Sequence, residues 1–430
     1  MLKERIAIID GIRSPIGKAG GTLKGVSADD LGAYVLREFV AKLPISPDDI
    51  DEVIIGNVAQ PSNAANVGRV IALKAGLNRK IPAITVHRNC ASGMEAITIG
   101  ASKILSGEST VVIAGGTESM SNIPLLYGHK MTAFFDRLSR AKTMSQKLSV
   151  LLSFRLHFLK PRIGLLEGLT DPTCGLIMGM TAENLANDFK ISREAQDQYA
   201  LESHRKAAKA MAAGIFKEEI LPFPVSPKYD VVMSDDESVR KDQTLEALQK
   251  LKPYFDRDHG TVTVGNACPI SDGAGMVLLM SESEAKKRGL TPLGFLSDYA
   301  YVGLDPSRMG LGPVHAISKL FEKTGLGFDS IDLVEINEAF SVQVMACLVA
   351  LGSDDFAKRE LGRNTAVGQL NPEIVNVNGG AVAFGHPVGM TGTRLVITLL
   401  KELKRRGKHR GIASLCVGGG QGAALLLETQ

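Results

Sequence analysis

Two cysteines, one histidine and one asparagine stand where their side chains could do chemistry. Cys90 lies in Asn89-Cys90-Ala91-Ser92-Gly93, after a β-branched run at 84–86. Met94, Ile97, Ala101, Ile104 and Leu105 follow it at helical spacing. A thiol at a helix N-terminus meets the positive end of the dipole, which favours the thiolate. Its small neighbours leave room for a substrate; the bland alternative is a buried structural cysteine. His386 is held between Gly385 and Pro387, just before a second helical pattern, and could serve as the base for Cys90. Alone it could equally be a structural or surface histidine. Cys416 ends a strand-like run before Val417-Gly418-Gly419-Gly420. A second thiol can carry a proton to or from carbon, and the amides of these glycines suit an oxyanion hole. A phosphate loop is the weaker reading, because Gly418-Gly419-Gly420-Gln421-Gly422 lacks the G-x-G-x-x-G register and precedes another strand. Asn337 could orient a water or donate to an oxyanion, or simply cap the helix that follows.

The elements that must position these residues alternate. Strand patterns fall at 6–9, 53–55, 84–86, 111–114, 277–280, 333–336 and 374–377, and helical patterns at 27–43, 90–105, 313–324 and 393–404. Such alternation predicts an α/β architecture with covered sheets. It also repeats. Ser46-Pro47-Asp48-Asp49-Ile50-Asp51-Glu52-Val53 resembles Gly327-Phe328-Asp329-Ser330-Ile331-Asp332-Leu333-Val334, and each is followed by a second strand, a helix and a glycine-ended strand. Two copies of one half-domain are expected, with a stretch from about 121 to 270 that has no counterpart in the second half. Within it, 182–213 reads as helical and 221–236 as turn-rich.

The 430 residues hold 49 Lys+Arg against 46 Asp+Glu, a formal charge of +3. A dedicated nucleic-acid binder would usually be far more basic. Five cysteines without a C-x-x-C pair argue against a disulfide framework and fit a reducing compartment. No signal peptide is read at the N-terminus and no apolar run is long enough for a membrane span. The near-neutral total hides an asymmetry. From 121 to 166 eight basic residues face the single acid Asp136, while phenylalanines and leucines interleave. A basic amphipathic stretch reads either as a membrane-surface or acidic-partner element, or as a helical hairpin with a solvated face.

Taken together, Cys90, Asn337-Glu338-Ala339-Phe340, Gly385-His386-Pro387 and Cys416-Val417-Gly418-Gly419-Gly420 resemble, in this order, the thiolase family over essentially the whole chain. Gly379-Gly380, Gly389-Met390-Thr391-Gly392 and Val264-Gly265-Asn266-Ala267 extend the resemblance. It implies the thiolase fold: α/β, two repeated βαβαβαββ halves stacked as α-β-α-β-α layers, with an inserted loop domain. The expected division is 1–120 plus 271–292, an insert at 121–270 with its basic segment at 129–162, and 293–430. Cys90 would be acylated, His386 would activate it, and Cys416 would exchange a proton with the acetyl-CoA carbon. Asn337 would hold a water in one oxyanion hole, and the amides of Cys90 and Gly418 would form the other. CoA contacts are expected at Met178, Phe255, Cys268 and Phe340, with CoA and acyl-CoA as substrates and no permanently bound cofactor or metal.

Within the family the basic insert, opening at Ala141-Lys142-Thr143-Met144, resembles the β subunit of the trifunctional-type fatty-acid oxidation complex. That implies a homodimer or dimer of dimers, an α subunit with hydratase and dehydrogenase activities, and a cytoplasmic enzyme touching membranes through 129–162. The expected reaction is thiolytic cleavage of 3-ketoacyl-CoA in β-oxidation; the alternative is biosynthetic condensation of two acetyl-CoA. A thiolase-like protein without turnover sits poorly with the intact Cys90, His386 and Cys416 set. A β-ketoacyl synthase is disfavoured, since Cys416 stands where a histidine is expected there. Three positions depart from the patterns: Asn337 where the β-subunit group has His, Cys268 where a Ser is usual, and Ile177 where short-chain members have a loop His.

Overall fold

The computed structural model describes residues 2–430. Nine strands build its main sheet: β1 (Ile6–Arg13), β2 (Glu52–Gly56), β3 (Ala83–Val86), β4 (Val111–Ser119), β5 (Ser271–Ser281), β6 (Gly294–Gly303), β7 (Leu333–Ile336), β8 (Arg410–Val417) and β9 (Gln421–Glu428). Their spatial order is β7-β8-β9-β6-β1-β5-β4-β2-β3, with the short strand Gly17–Lys18 pairing beside β5. Apart from the outermost β3, which has no counterpart at the other end, the order mirrors about the β1–β6 junction. β2 is parallel to β4 as β7 is to β8, and β4–β5–β1 is antiparallel as β8–β9–β6 is. The halves join where β1 and β6 pair antiparallel, Ile6 opposite Leu296.

Six helices cover and divide this sheet: α1 (Ala28–Lys42), α2 (Val67–Lys74), α3 (Ser92–Ser106), α4 (Gly312–Thr324), α5 (Ser341–Leu351) and α6 (Val388–Arg406). Alternation along the strands decides which helix each residue meets. Ile6 and Ile8 point inward to a core with Met94 and Ile97 of α3 and Leu395 and Val396 of α6, while Ala7 and Ile9 point outward to α1 and α2. On the second half α4 and α5 cover the outer face, with Val314, Ile317, Val342 and Val344 against Ile412 and Leu426. The layers are therefore α-β-α-β-α, with α3 and α6 in the middle. These central helices touch through glycine. A Cβ on Gly93 would stand 2.6 Å from Thr393 Oγ1, and one on Gly392 would stand 2.5 Å from the Met94 amide nitrogen.

Three local expectations change. The segment 374–377 forms no strand and contributes only a single bridge, Val334 to Val375. Pro372 opens a 3-10 turn there and Asn376 takes a φ of 46°, so the extended run is broken on both sides. The helical stretch 182–213 is two helices, Met178–Phe189 and Arg193–Ala212, because Lys190 turns left-handed at φ 55° and Ser192 caps the second. The helix after Cys90 begins at Ser92, two residues later than its pattern suggested.

The basic stretch folds as helices His129–Arg140 and Met144–Leu152, beside a ribbon pairing Leu125–Tyr127 with Pro161–Ile163. Met131, Phe134 and Val150 form its small separate core, with Phe134 and Phe154 edge to face at 5.5 Å. Met144, Leu148, Leu152 and Leu156 remain exposed. Elsewhere the residues between 120 and 270 are tied to β1 through Arg13. Its fully buried guanidinium bonds Glu219 at 2.8 Å and Asp236 at 2.7 Å. No described helix is long and apolar enough to cross a membrane.

Candidate active site

The two central helices begin at one cavity, and the residues just before each helix line it. Its volume is about 630 Å³, and its wall includes Cys90, His386, Cys416, Gly418, Met178, Cys268 and Phe340. Asn337 and Phe255 are not in the lining. Asn337 is completely buried behind it, and both its side-chain atoms lack a protein partner. Phe255 packs edge-on against Phe340, centroids 6.1 Å apart.

Cys90 is placed by a tight turn. Asn89 takes a φ of 42°, Ser92 Oγ donates to its carbonyl at 2.7 Å, and its own Nδ2 donates to Gly418 O at 2.7 Å. That last bond ties the Cys90 turn to the glycine turn after β8. The thiol faces the cavity in an apolar setting, and burial pushes its pKa up. The amides of Gly418 and of Cys90 itself pull it down, while the carboxyl of Glu118 adds to the rise. The dipole argument for a resting thiolate is thus outweighed by desolvation, and the thiol needs a base to lose its proton.

His386 has the geometry of such a base. Its Nδ1 lies 2.6 Å from Thr391 Oγ1, and the Thr391 hydroxyl donates to Pro387 O at 2.9 Å. With the hydroxyl proton committed to that carbonyl, Nδ1–H is the donor and Nε2 keeps its lone pair. Nε2 is buried and unpartnered. Burial, helped by the positive charge of Arg394, lowers the His386 pKa to about 3, so the imidazole is neutral. Arg394 itself is buried against Glu335 at 2.8 Å.

Cys416 ends β8 with its thiol buried, and burial pushes its pKa well up, so it stands protonated. Cys268 shares the cavity, and burial raises its thiol to about 12. The segment carrying it threads between the other two site loops. The Cys268 amide donates to Ala339 O at 3.0 Å, and the His386 amide donates to Pro269 O at 3.3 Å. Asn337 is anchored through its neighbour. Glu338 accepts from Ser203 Oγ at 2.7 Å, the Val382 amide at 3.0 Å, Asn376 Nδ2 at 3.0 Å and Tyr199 OH at 3.1 Å. The arrangement offers a protonated thiol beside a neutral base, a second protonated thiol, and amide donors converging on one space. That is a site for acyl transfer through sulfur.

Sequence reasoning missed part of the wall. Val58, Ala59, Glu118, Met120, Ile123, Met309 and the run 164–173, Leu166 apart, line the cavity. The last lies in the unmatched stretch and closes the cavity beside Leu165 and Leu169. Nothing in its local composition signals this, since it depends on how the insert folds back.

Fold and site together describe a duplicated α/β acyltransferase with cysteine chemistry. The chain matches the thiolase N-terminal domain model over residues 6–283 and the thiolase C-terminal domain model over residues 290–429. It belongs to the thiolase family. Among its relatives, the 3-ketoacyl-CoA thiolase of Yersinia enterocolitica is 38% identical over 99% of this chain and 97% of its own length. That of Pseudoalteromonas translucida is 39% identical over the same shares. Two solved structures superpose over nearly the full chain. The acetyl-CoA acetyltransferase of Bacillus anthracis is 41% identical with a TM-score of 0.86, covering 99% of each chain. Human mitochondrial 3-ketoacyl-CoA thiolase in complex with CoA is 38% identical with a TM-score of 0.84, covering 99% of this chain and 98% of that one.

Proposed function

We propose that this protein is a 3-ketoacyl-CoA thiolase of fatty-acid β-oxidation, cleaving its substrate with CoA through an acyl-Cys90 intermediate. The observation that carries the reading is the convergence of Cys90, Cys416 and the lone pair of His386 Nε2 on one cavity. His386 takes the Cys90 proton, and the sulfur attacks the 3-keto carbon. The bond between C2 and C3 then breaks, leaving the acyl group on Cys90 and an acetyl-CoA carbanion that takes its proton from Cys416. CoA gives its thiol proton to the Cys416 thiolate and attacks the acyl-Cys90 thioester; the Cys90 thiolate leaves, takes its proton back from His386, and shortened acyl-CoA departs. The amides of Cys90 and Gly418 hold one developing oxyanion; Asn337 holds a water in the other, where His386 also donates once Nε2 carries the Cys90 proton. Met178, Phe255, Cys268 and Phe340 are the proposed CoA contacts.

Supporting the degradative direction are the 3-ketoacyl-CoA thiolases among its relatives and a largely apolar cavity wall that includes Met120, Ile123, Leu165 and Leu169. A biosynthetic reading, condensing two acetyl-CoA, is favoured by the Bacillus acetyltransferase likeness and by Asn337. Steady-state thiolysis of C4 against C16 3-ketoacyl-CoA separates them. The degradative reading expects kcat/KM to hold or rise with chain length; a strong C4 preference would sink it.

The proposed organisation is 1–120 plus 271–292, an insert at 121–270, and 293–430, consistent with the mirrored strand order. We further propose a cytoplasmic homodimer or dimer of dimers, an α subunit with hydratase and dehydrogenase activities, and peripheral membrane contact through 129–162. Exposed Met144, Leu148, Leu152 and Leu156 beside Lys147 and Arg155 support the last.

A further inference from the structure

Glu118 lies in the cavity wall, and sulfur chemistry has no evident use for it. It sits near the end of β4, completely buried. Its Oε1 accepts from the Ala59 amide at 2.9 Å and Asn57 Nδ2 at 3.1 Å. Its Oε2 accepts from the Gly389 amide at 2.8 Å and the Val58 amide at 3.1 Å. Two of these donors are backbone groups of the loop that forms one cavity wall. The third backbone donor belongs to the first turn of α6, three residues after His386. The fit on that side is close: a Cβ on Gly389 would stand 2.9 Å from Glu118 Oε2 and from Asn57 Cα.

We infer that Glu118 is a positioning residue, its carboxylate clamping the 57–59 loop to the start of α6 and so fixing where His386 stands relative to Cys90. Four donors and no acceptor face the two oxygens, so the geometry requires the anion. A protonated carboxyl must turn its own hydrogen on to one of these donor pairs and lose it. Burial opposes the anion and raises the Glu118 pKa to about 7, with Asp272 on the adjacent strand adding to the rise. The other titratable groups on the cavity wall are Cys90, His386, Cys268, Cys416, Glu167 and Asp171; Glu167 accepts from Arg162, and Asp171 from Thr173. The 57–59 loop and residues 388 and 389 bring none. With His386 neutral above about pH 3, it supplies no acid limb near neutrality. Glu335, behind His386 and also near 7 through burial, could supply one, so variants of the Glu118 clamp decide.

The inference rests on the thiolase reading, and wild-type thiolysis of 3-ketoacyl-CoA tests that reading first. Against this control, kcat/KM is measured from about pH 5 to about pH 9, roughly two units either side of the limb. The wild type should lose activity as pH falls through about 7, where the free-enzyme carboxylate takes up its proton. Glu118→Gln keeps the shape but turns an NH2 on to two donors. It should lower kcat by about 10²-fold, the cost of a misplaced catalytic group. KM should change little, and the acid limb should vanish. Asn57→Ala removes one donor to the anion, together with its bond to Thr117 O; the limb should move to higher pH. A flat wild-type profile across neutrality would overturn the inference. So would a folded Glu118→Gln enzyme with wild-type kcat and limb, or an Asn57→Ala limb that does not move.

Discussion

Two hydrogen bonds made by Thr391, five residues after His386, place the proton on the histidine ring. Thr391 takes the Nδ1 hydrogen and spends its own on Pro387 O. In the proposed mechanism this leaves Nε2 free to receive the Cys90 proton. Thr391→Val removes the acceptor and frees the tautomer. It should lower kcat by about 10²-fold, the low end of what general acid–base help contributes, with KM nearly unchanged. Unchanged steady-state kinetics would show that the tautomer is set elsewhere. Cys90, His386 and Cys416 were legible in the sequence because each stands in a short glycine-flanked stretch at a strand or helix end. Glu118 was not. It reads as one polar residue in Gly115-Gly116-Thr117-Glu118-Ser119, and its backbone partners Ala59 and Gly389 are 59 and 271 residues away. How far desolvation outweighs the helix dipole at Cys90 was equally illegible, since the sequence supports both a dipole-favoured thiolate and a thiol relying on His386.

At the scale of elements, α3 and α6 must cross with their N-terminal turns almost in contact. Gly93 and Gly392 make this crossing close enough for Cys90 and His386 to share a cavity. Gly93→Ala would push a methyl against the Thr393 backbone nitrogen at 2.8 Å as well as its hydroxyl. Overpacking of this kind costs about 1–3 kcal/mol. Thermal unfolding should fall measurably, and turnover with it, because the same helices carry the site; an unchanged melting temperature would contradict the close crossing. Most core strands were readable from their β-branched runs and the repeat. The exceptions were local: 374–377 looked like a strand by composition, yet Pro372 and the left-handed Asn376 leave it one bridge. That Asn376 then bonds Ile336 and Glu338, an exchange of strand for loop that periodicity cannot reveal.

Over the whole molecule, the duplicated body holds the chemistry and the unmatched stretch closes it. Arg13 on β1 is one buried link between them, beside the bonds of Ser203 and Tyr199 to Glu338. Arg13→Met would leave Glu219 and Asp236 buried without their cation, at a cost of about 3–5 kcal/mol. The urea midpoint should drop accordingly, and a midpoint within error of wild type would show the link to be dispensable. The basic segment is a separate matter. Its charge asymmetry and amphipathic spacing were plain in the sequence, and the fold leaves its leucines exposed. Under the proposed membrane role, the full-length protein should co-sediment with anionic vesicles, less so as salt rises. Deleting 134–160 without loss of that binding would refute the role. The reach of 164–173 into the cavity, in contrast, came only from the folded chain.

The central claim is that one of the cavity's three thiols, Cys90, carries the acyl group. The enzyme should be mixed with 3-ketoacyl-CoA in the absence of CoA, quenched in acid, digested and mapped by mass spectrometry. The account predicts the acyl mass on the peptide containing Cys90, with Cys268 and Cys416 unmodified, and none in Cys90→Ala. An acyl group on Cys268 or Cys416, or thiolysis by Cys90→Ala at the wild-type rate, would contradict it.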